Sequence, residues 1–156
     1  MIIFTDLDGT LLDRQAYSYR EAEPALDLIK KRDIPLIFCS AKTRAQQEVY
    51  RKELDFHGRF IVEDGGAVFV GMIISLFSSN TIDPLTTITS SKSSQGGRFY
   101  AVMGSNDKGK AVSLLTDLYR KQHGVIWTVG IGDSENDAPL LAAVDLPVLV
   151  QKPNAT

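Results

Sequence analysis

Cysteine and histidine are scarce in this sequence, and charge of either sign is nearly balanced: there is one Cys, two His, and a formal net charge of −2. A lone Cys39 excludes an intrachain disulfide and a thiolate metal cluster. The small net charge offers no field to attract nucleic acid or an anionic membrane, so neither is expected as a partner. No apolar run approaches the roughly 20 residues a spanning helix needs. The apolar start Met1-Ile2-Ile3-Phe4 is interrupted by Asp6, which argues against a secretory leader and makes the cytoplasm the expected location. His57 and His123 each precede a glycine, where they read as favourable charges at helix C-termini and not as ligands.

What remains is ordinary for a globular chain. With 156 residues, 44% hydrophobic and 23% charged, it suits a single domain that buries roughly two-thirds of its unfolded surface. Residues 2–5 form a short apolar run of strand type. A helix is expected after the capping pattern Ser18-x-x-Glu21, with Ala22, Ala25, Leu26 and Ile29 at helical spacing and Pro24 confined to the first turn. Residues 34–39 are continuously apolar, as in a strand covered on both faces. The pattern Thr43-x-x-Gln46 opens a second helix that closes at His57-Gly58, and residues 60–62 form a third strand stopped by Glu63-Asp64-Gly65-Gly66. Strand character returns at residues 98–103, a helix runs from Lys108 to His123-Gly124, and residues 125–131 form a strand in which Trp127 is read as core. A loop at 132–137, a short helix at 139–144 and a strand at 146–150 complete the pattern. Cys39 reads as a small buried apolar side chain.

Strands alternating with helices of this length predict an α/β fold with a doubly wound parallel sheet. Ligands of such sheets lie outside the carboxyl ends of the strands. The stretch 71–97 differs: 11 of its 27 residues are Ser or Thr, and its only charges are Asp83 and Lys92. It reads as a short β-rich insertion.

Asp6, Ser40 and Asp133 each follow a predicted strand and are therefore expected to meet at one edge of the sheet. Asp6 and Asp8, two residues apart on extended backbone, send both carboxylates to the same side and repel each other unless a cation or a proton intervenes. Lys108, in Asp107-Lys108-Gly109-Lys110-Ala111, stands at a helix N-terminus, which disfavours cations, and fits better turned toward an anionic cluster. Asp133 and Asp137, in Gly132-Asp-Ser-Glu-Asn-Asp137, are hard oxygen donors suited to Mg2+ rather than zinc. Gly104-Ser-Asn-Asp-Lys-Gly-Lys110 also matches part of a nucleotide-binding loop, but the hydroxyl residue that should follow is replaced by Ala111.

The run Asp6-Leu-Asp-Gly-Thr-Leu-Leu-Asp13 resembles the opening motif of the haloacid dehalogenase-like hydrolases, in their phosphatase branch. The resemblance implies a Rossmann-like core and Mg2+-dependent phosphoryl transfer through an aspartyl-phosphate. Asp6 would be the nucleophile, Asp8 the acid/base, and Lys108 the cation that screens them. The metal would be held by Asp6, the Asp8 carbonyl, Asp133, and Asp137 directly or through water. Ser40, with the amides at Ala41 and beyond, would bind the phosphate; Lys42 and Arg44 would hold it or another acidic part of the substrate. Asn136 would orient a ligand. Local details such as Cys39-Ser-Ala-Lys-Thr-Arg44 and Glu63-Asp-Gly-Gly-Ala67 resemble the mannosyl-3-phosphoglycerate phosphatase subgroup, pointing to a small phosphorylated sugar or glycerate. That subgroup carries a whole cap domain where this chain has residues 71–97. The expectation is thus one core domain over 1–156 with a reduced cap, its open site covered by a neighbouring subunit or acting broadly on small phosphomonoesters. Transfer to an acceptor other than water, and a non-catalytic binding role, are the alternatives.

Overall fold

The structure is a computed structural model that describes residues 1–69 and 107–151. The expected excursion at 71–97 and the strand at 98–103 lie outside the described residues. Among the described residues, six strands and four α-helices follow in chain order: β1 (Ile2–Thr5), α1 (Glu23–Lys31), β2 (Leu36–Cys39), α2 (Arg44–Glu53), β3 (Phe60–Val62), β4 (Ala67–Phe69), α3 (Lys108–His123), β5 (Thr128–Gly132), α4 (Ala138–Ala142) and β6 (Leu146–Leu149). They form one sheet in the order β4-β3-β2-β1-β5-β6. All neighbours are parallel except β3 and β4, an antiparallel pair. β4 was not expected, because the Glu63–Gly66 turn hid a three-residue return strand.

Successive side chains of a strand face opposite sides, and the two cores follow that alternation. Ile2 and Phe4 of β1 join Ile37, Cys39 and Ile61 beneath Ala111, Val112 and Leu115 of α3 and Leu140 of α4. Ile3 joins Leu36, Phe38, Phe60 and Val62 on the other face, with Leu26 of α1 and Leu54 beyond α2. The doubly wound sheet is therefore present. Cys39 is buried, as expected, and burial raises its thiol pKa.

Two local readings are corrected. Ser18 does not cap α1: its hydroxyl accepts from the Arg20 N–H, a 3-10 turn covers Arg20–Ala22, and α1 begins at Glu23 with no side-chain cap. A helix begun at Ser18 would place Pro24 beyond its first turn, where the ring clashes with the carbonyl four residues earlier. Trp127 is not core. β5 begins one residue later, and Trp127 is 67% exposed at the amino-terminal edge of the sheet.

The capping box at Thr43 is real, with its hydroxyl accepting from Gln46 N–H and the Gln46 side chain accepting from Thr43 N–H. It sets the start of α2 directly after the loop that carries Ser40, Ala41 and Lys42.

Candidate active site

The carboxyl ends of β1, β2, β3 and β5 place Asp6, Ser40, Asp64 and Asp133 at one edge, beside β1 where crossovers diverge to both sides of the sheet. At such a switch point the strand ends leave a crevice. Beyond Thr5 the chain does not remain extended. It turns, with the Leu12 and Thr10 N–H groups donating to the Leu7 carbonyl. Asp6 is buried, and Asp8 lies nearer the surface. Each carboxylate has its own lysine, and neither relies on the other.

Lys108, 3% exposed as the first residue of α3, is the hub. Its ammonium donates to Asp6 Oδ1 at 2.8 Å and to Asp137 Oδ1 at 2.7 Å, and lies 3.4 Å from Asp64 Oδ1. Asp107 caps the helix by accepting the Lys110 N–H, which leaves Lys108 free to turn inward. Burial alone would lower the Lys108 pKa, but the charge of Asp6 and the bonds to both carboxylates outweigh it and raise it. The same pairing outweighs burial at Asp137 and holds its carboxyl below the usual range. At Asp6 burial wins, and its pKa is pushed up to about 6 against the attraction of Lys108. Burial thus works against an ionised Asp6, and Lys108 offsets it only in part. A divalent cation beside it favours the ionised form.

The carboxylates fit such a cation. One oxygen each from Asp6, Asp133 and Asp137 lie within 4.8 Å of one another, and all three residues are buried. Asp8 Oδ1 and Asp133 Oδ1 are buried without a hydrogen-bond partner among the described residues. Unpartnered buried carboxylate oxygens are costly unless something positive meets them. Asp137 is different, because its Oδ2 already accepts from the Asp133 N–H, the Ser134 N–H and the Ser134 hydroxyl.

Ser40 is buried behind β2, where its hydroxyl accepts from the Lys42 N–H and its carbonyl accepts from the Asp64 N–H. Lys42 reaches Asp8 Oδ2 at 2.9 Å, with its ammonium 5.2 Å from the Tyr17 ring centroid and 5.8 Å from that of Tyr50. Ala41 is exposed in the loop between them. Arg44 is not brought onto the carboxylates. Its guanidinium pairs with Glu48 one helical turn on and lies over Phe69. Asn136 is exposed in the 3-10 turn Glu135–Asp137, and the orienting bonds expected of it come from Ser134 instead. Serine two residues earlier holds Asp137 because its own backbone starts that turn.

Two residues near the site escaped the sequence reading. Asp64 is the second residue after β3, with Glu63 directly behind the strand, so a rule that takes the residue right after a strand points to Glu63 instead. The left-handed backbone of Asp64, with φ 53° after a φ of 51° at Glu63, is the kind of outlier that collects at functional sites. Arg14 bonds Asp133, and nothing in its local sequence signals that.

A strand-end crevice that gathers a buried acid, a lysine bridge and cation-ready carboxylates defines a phosphoryl-transferring hydrolase of Rossmann-like build. A family profile described as haloacid dehalogenase-like hydrolase matches residues 3–84, and the chain belongs to that family, in its phosphatase branch. It is 36% identical to a glucosyl-3-phosphoglycerate/mannosyl-3-phosphoglycerate phosphatase from Methanococcoides burtonii, over 98% of this chain and 85% of the relative. It is 28% identical to a mannosyl-3-phosphoglycerate phosphatase from Pyrococcus furiosus, over 96% and 90%. Among solved structures, a phosphatase of the haloalkanoate enzyme superfamily from Bacteroides thetaiotaomicron shares the fold. The match has a TM-score of 0.61 at 14% identity, covering 92% of this chain and 81% of that one. The alignment to the M. burtonii relative spans 232 residues, so that protein carries residues with no counterpart among the 156 here.

Proposed function

We propose that this protein is a Mg2+-dependent phosphomonoesterase that works through an aspartyl-phosphate on Asp6, with a small sugar or glycerate phosphate such as mannosyl-3-phosphoglycerate as substrate. One observation carries the reading: a fully engaged, buried lysine bridges Asp6 and Asp137 at 2.8 and 2.7 Å. A structural salt bridge needs one acid, and burying several acids with one base is unfavourable without a further cation. The substrate class rests on the names of the relatives, with the Lys42 ammonium beside Asp8 as a further polar group at the crevice.

Asp6 and Asp133 would hold Mg2+ with the Asp8 carbonyl, and Asp137, whose oxygens are already engaged, would serve through water. The ion supplies positive charge against the phosphate oxygens and keeps Asp6 ionised. An Asp6 oxygen attacks phosphorus in line with the ester oxygen, which leaves with the proton of Asp8. Asp8, now a carboxylate, takes a proton from water as that water attacks phosphorus, and the bond to Asp6 breaks. Lys108 offsets charge beside Asp6 throughout. The Ser40 hydroxyl and the amide at Ala41 offer donors to the phosphate. Residues 71–97 would act as a reduced cap, with a second subunit covering the opening.

The test is a panel of phosphorylated metabolites, including glycosyl phosphoglycerates, assayed with Mg2+ or with EDTA beside an Asp6→Asn variant. Hydrolysis that needs both Mg2+ and Asp6 supports the reading. Equal rates for wild type and Asp6→Asn would sink it.

A further inference from the structure

Asp133 is gripped by a residue that the phosphoryl-transfer scheme does not use. Arg14 donates to a single oxygen, Asp133 Oδ2, from both Nε at 3.1 Å and Nη2 at 2.6 Å. The other oxygen, Oδ1, is buried and has no hydrogen-bond partner among the described residues. The Asp133 side chain is 1% exposed and that of Arg14 53%, so the guanidinium reaches in from the rim.

The loop is built for that reach. Asp13 Oδ1 accepts the Gln15 and Ala16 N–H groups at 2.9 and 2.7 Å, and the Asp13 N–H donates to the Ser18 carbonyl, which closes the loop carrying Arg14. Gly9 has φ +84°, and a Cβ there would fall 2.5 Å from Arg14 Nε and 2.6 Å from Asp133 Oδ2. A side chain at that position would push the pair apart.

A carboxylate can hold a divalent ion with one oxygen or with two. Ca2+ accepts either mode in a flexible shell of six to eight oxygens, whereas Mg2+ demands a small octahedron and takes one oxygen per carboxylate. With Oδ2 tied down twice, only Oδ1 is free to serve. We infer that Arg14 is a positioning residue that restricts Asp133 to one-oxygen ligation and thereby makes the site discriminate against Ca2+. The inference rests on the reading of Asp133 as a metal ligand. It differs from a plain charge effect, in which a neighbouring cation weakens both ions alike.

The experiment is calorimetric titration of the full chain with MgCl2 and, separately, CaCl2, for wild type, Arg14→Gln and Arg14→Lys. Thermal unfolding by circular dichroism confirms that each variant is folded. Arg14→Gln should bind Ca2+ at least about tenfold more tightly relative to Mg2+ than wild type does, in the range that outer-shell partners of metal ligands command. Arg14→Lys, which keeps the charge but loses the paired donors, should shift the ratio in the same direction. If the two affinities move together and the ratio stays constant, Arg14 acts by charge alone and the inference fails. A ratio moved by Arg14→Gln but fully restored by Arg14→Lys shows that any cation at this position suffices, and the inference that the paired donors set the ligation mode fails. Should wild type bind neither ion, the metal reading under the proposed function falls first, an outcome distinct from an unchanged ratio.

Discussion

Replacing Lys108 by Met is the most demanding perturbation of this protein, because it removes one cation from three acids at once while nearly conserving volume. Asp137 keeps three donors on Oδ2 and stays supported. Asp6 loses its only side-chain partner among the described residues and, already lifted to about 6, is driven further toward the neutral form. That escape by protonation limits the damage to the size seen when one member of a buried pair is deleted, about 3–5 kcal/mol. For a chain of this length the melting temperature should fall by roughly 6–20 °C, at 2–4 °C per kcal/mol. Guanidinium unfolding near neutral pH with EDTA, followed by circular dichroism, measures the loss. Asp6→Asn in the Lys108→Met background should recover about 0.5–3 kcal/mol, since it removes the stranded charge. The rate of hydrolysis with Mg2+ should drop about 100- to 1,000-fold, as when a donor that meets developing charge is lost. A Lys108→Met protein within about 1 kcal/mol of wild type, with no coupling to Asp6→Asn, would refute the bridge as the organiser of the site.

Acidity offers a second check. Asp6 binds its proton more tightly folded (about 6) than at its ordinary 3.8, so without divalent metal stability should fall as pH rises from about 4 to about 6. The fall is at most about 3 kcal/mol, at 1.36 kcal/mol per pKa unit, and Mg2+ should abolish it; denaturant titrations that are flat or rising across that window count against the burial of Asp6. Asp137, held below its ordinary value, acts in a separate window, with stability lost only as pH drops below about 4. Gly109→Ala places a Cβ 2.4 Å from the Pro139 carbonyl oxygen, backbone that cannot step aside, so α3 must lift from α4 and carry Lys108 with it. A loss of about 1–3 kcal/mol is expected, with kcat reduced more than KM is raised; unchanged melting and kinetics would show that the two helices do not meet so closely.

Much of the framework was readable from residue order. The apolar runs behind β1, β2 and β3 and the Thr43-x-x-Gln46 box are local patterns, and local patterns fix local structure. Lys108 was legible because a cation at a helix start is out of place unless something negative receives it. The Ser18 pattern misled because the same four-residue spacing is compatible with a cap only if no proline follows within the helix, and Pro24 does. Trp127 misled because an aromatic residue beside a strand looks like core whether it lies inside the sheet or just before it. Asn136 was expected to make the orienting bond that Ser134 makes, because sequence spacing does not say which side chain a tight turn folds back.

Residue order by itself determined which acids stand at strand ends, and therefore the sheet edge where chemistry is possible, because a strand's direction and its alternation are properties of a few consecutive residues. Only the tertiary structure decided which cation meets which acid. Lys108 and Asp6 are 102 positions apart, and Arg14 and Asp133 are 119 apart. No spacing rule spans such distances. Those pairings exist because the crossovers of a doubly wound sheet return each strand end to the same edge, where burial then forces opposite charges together.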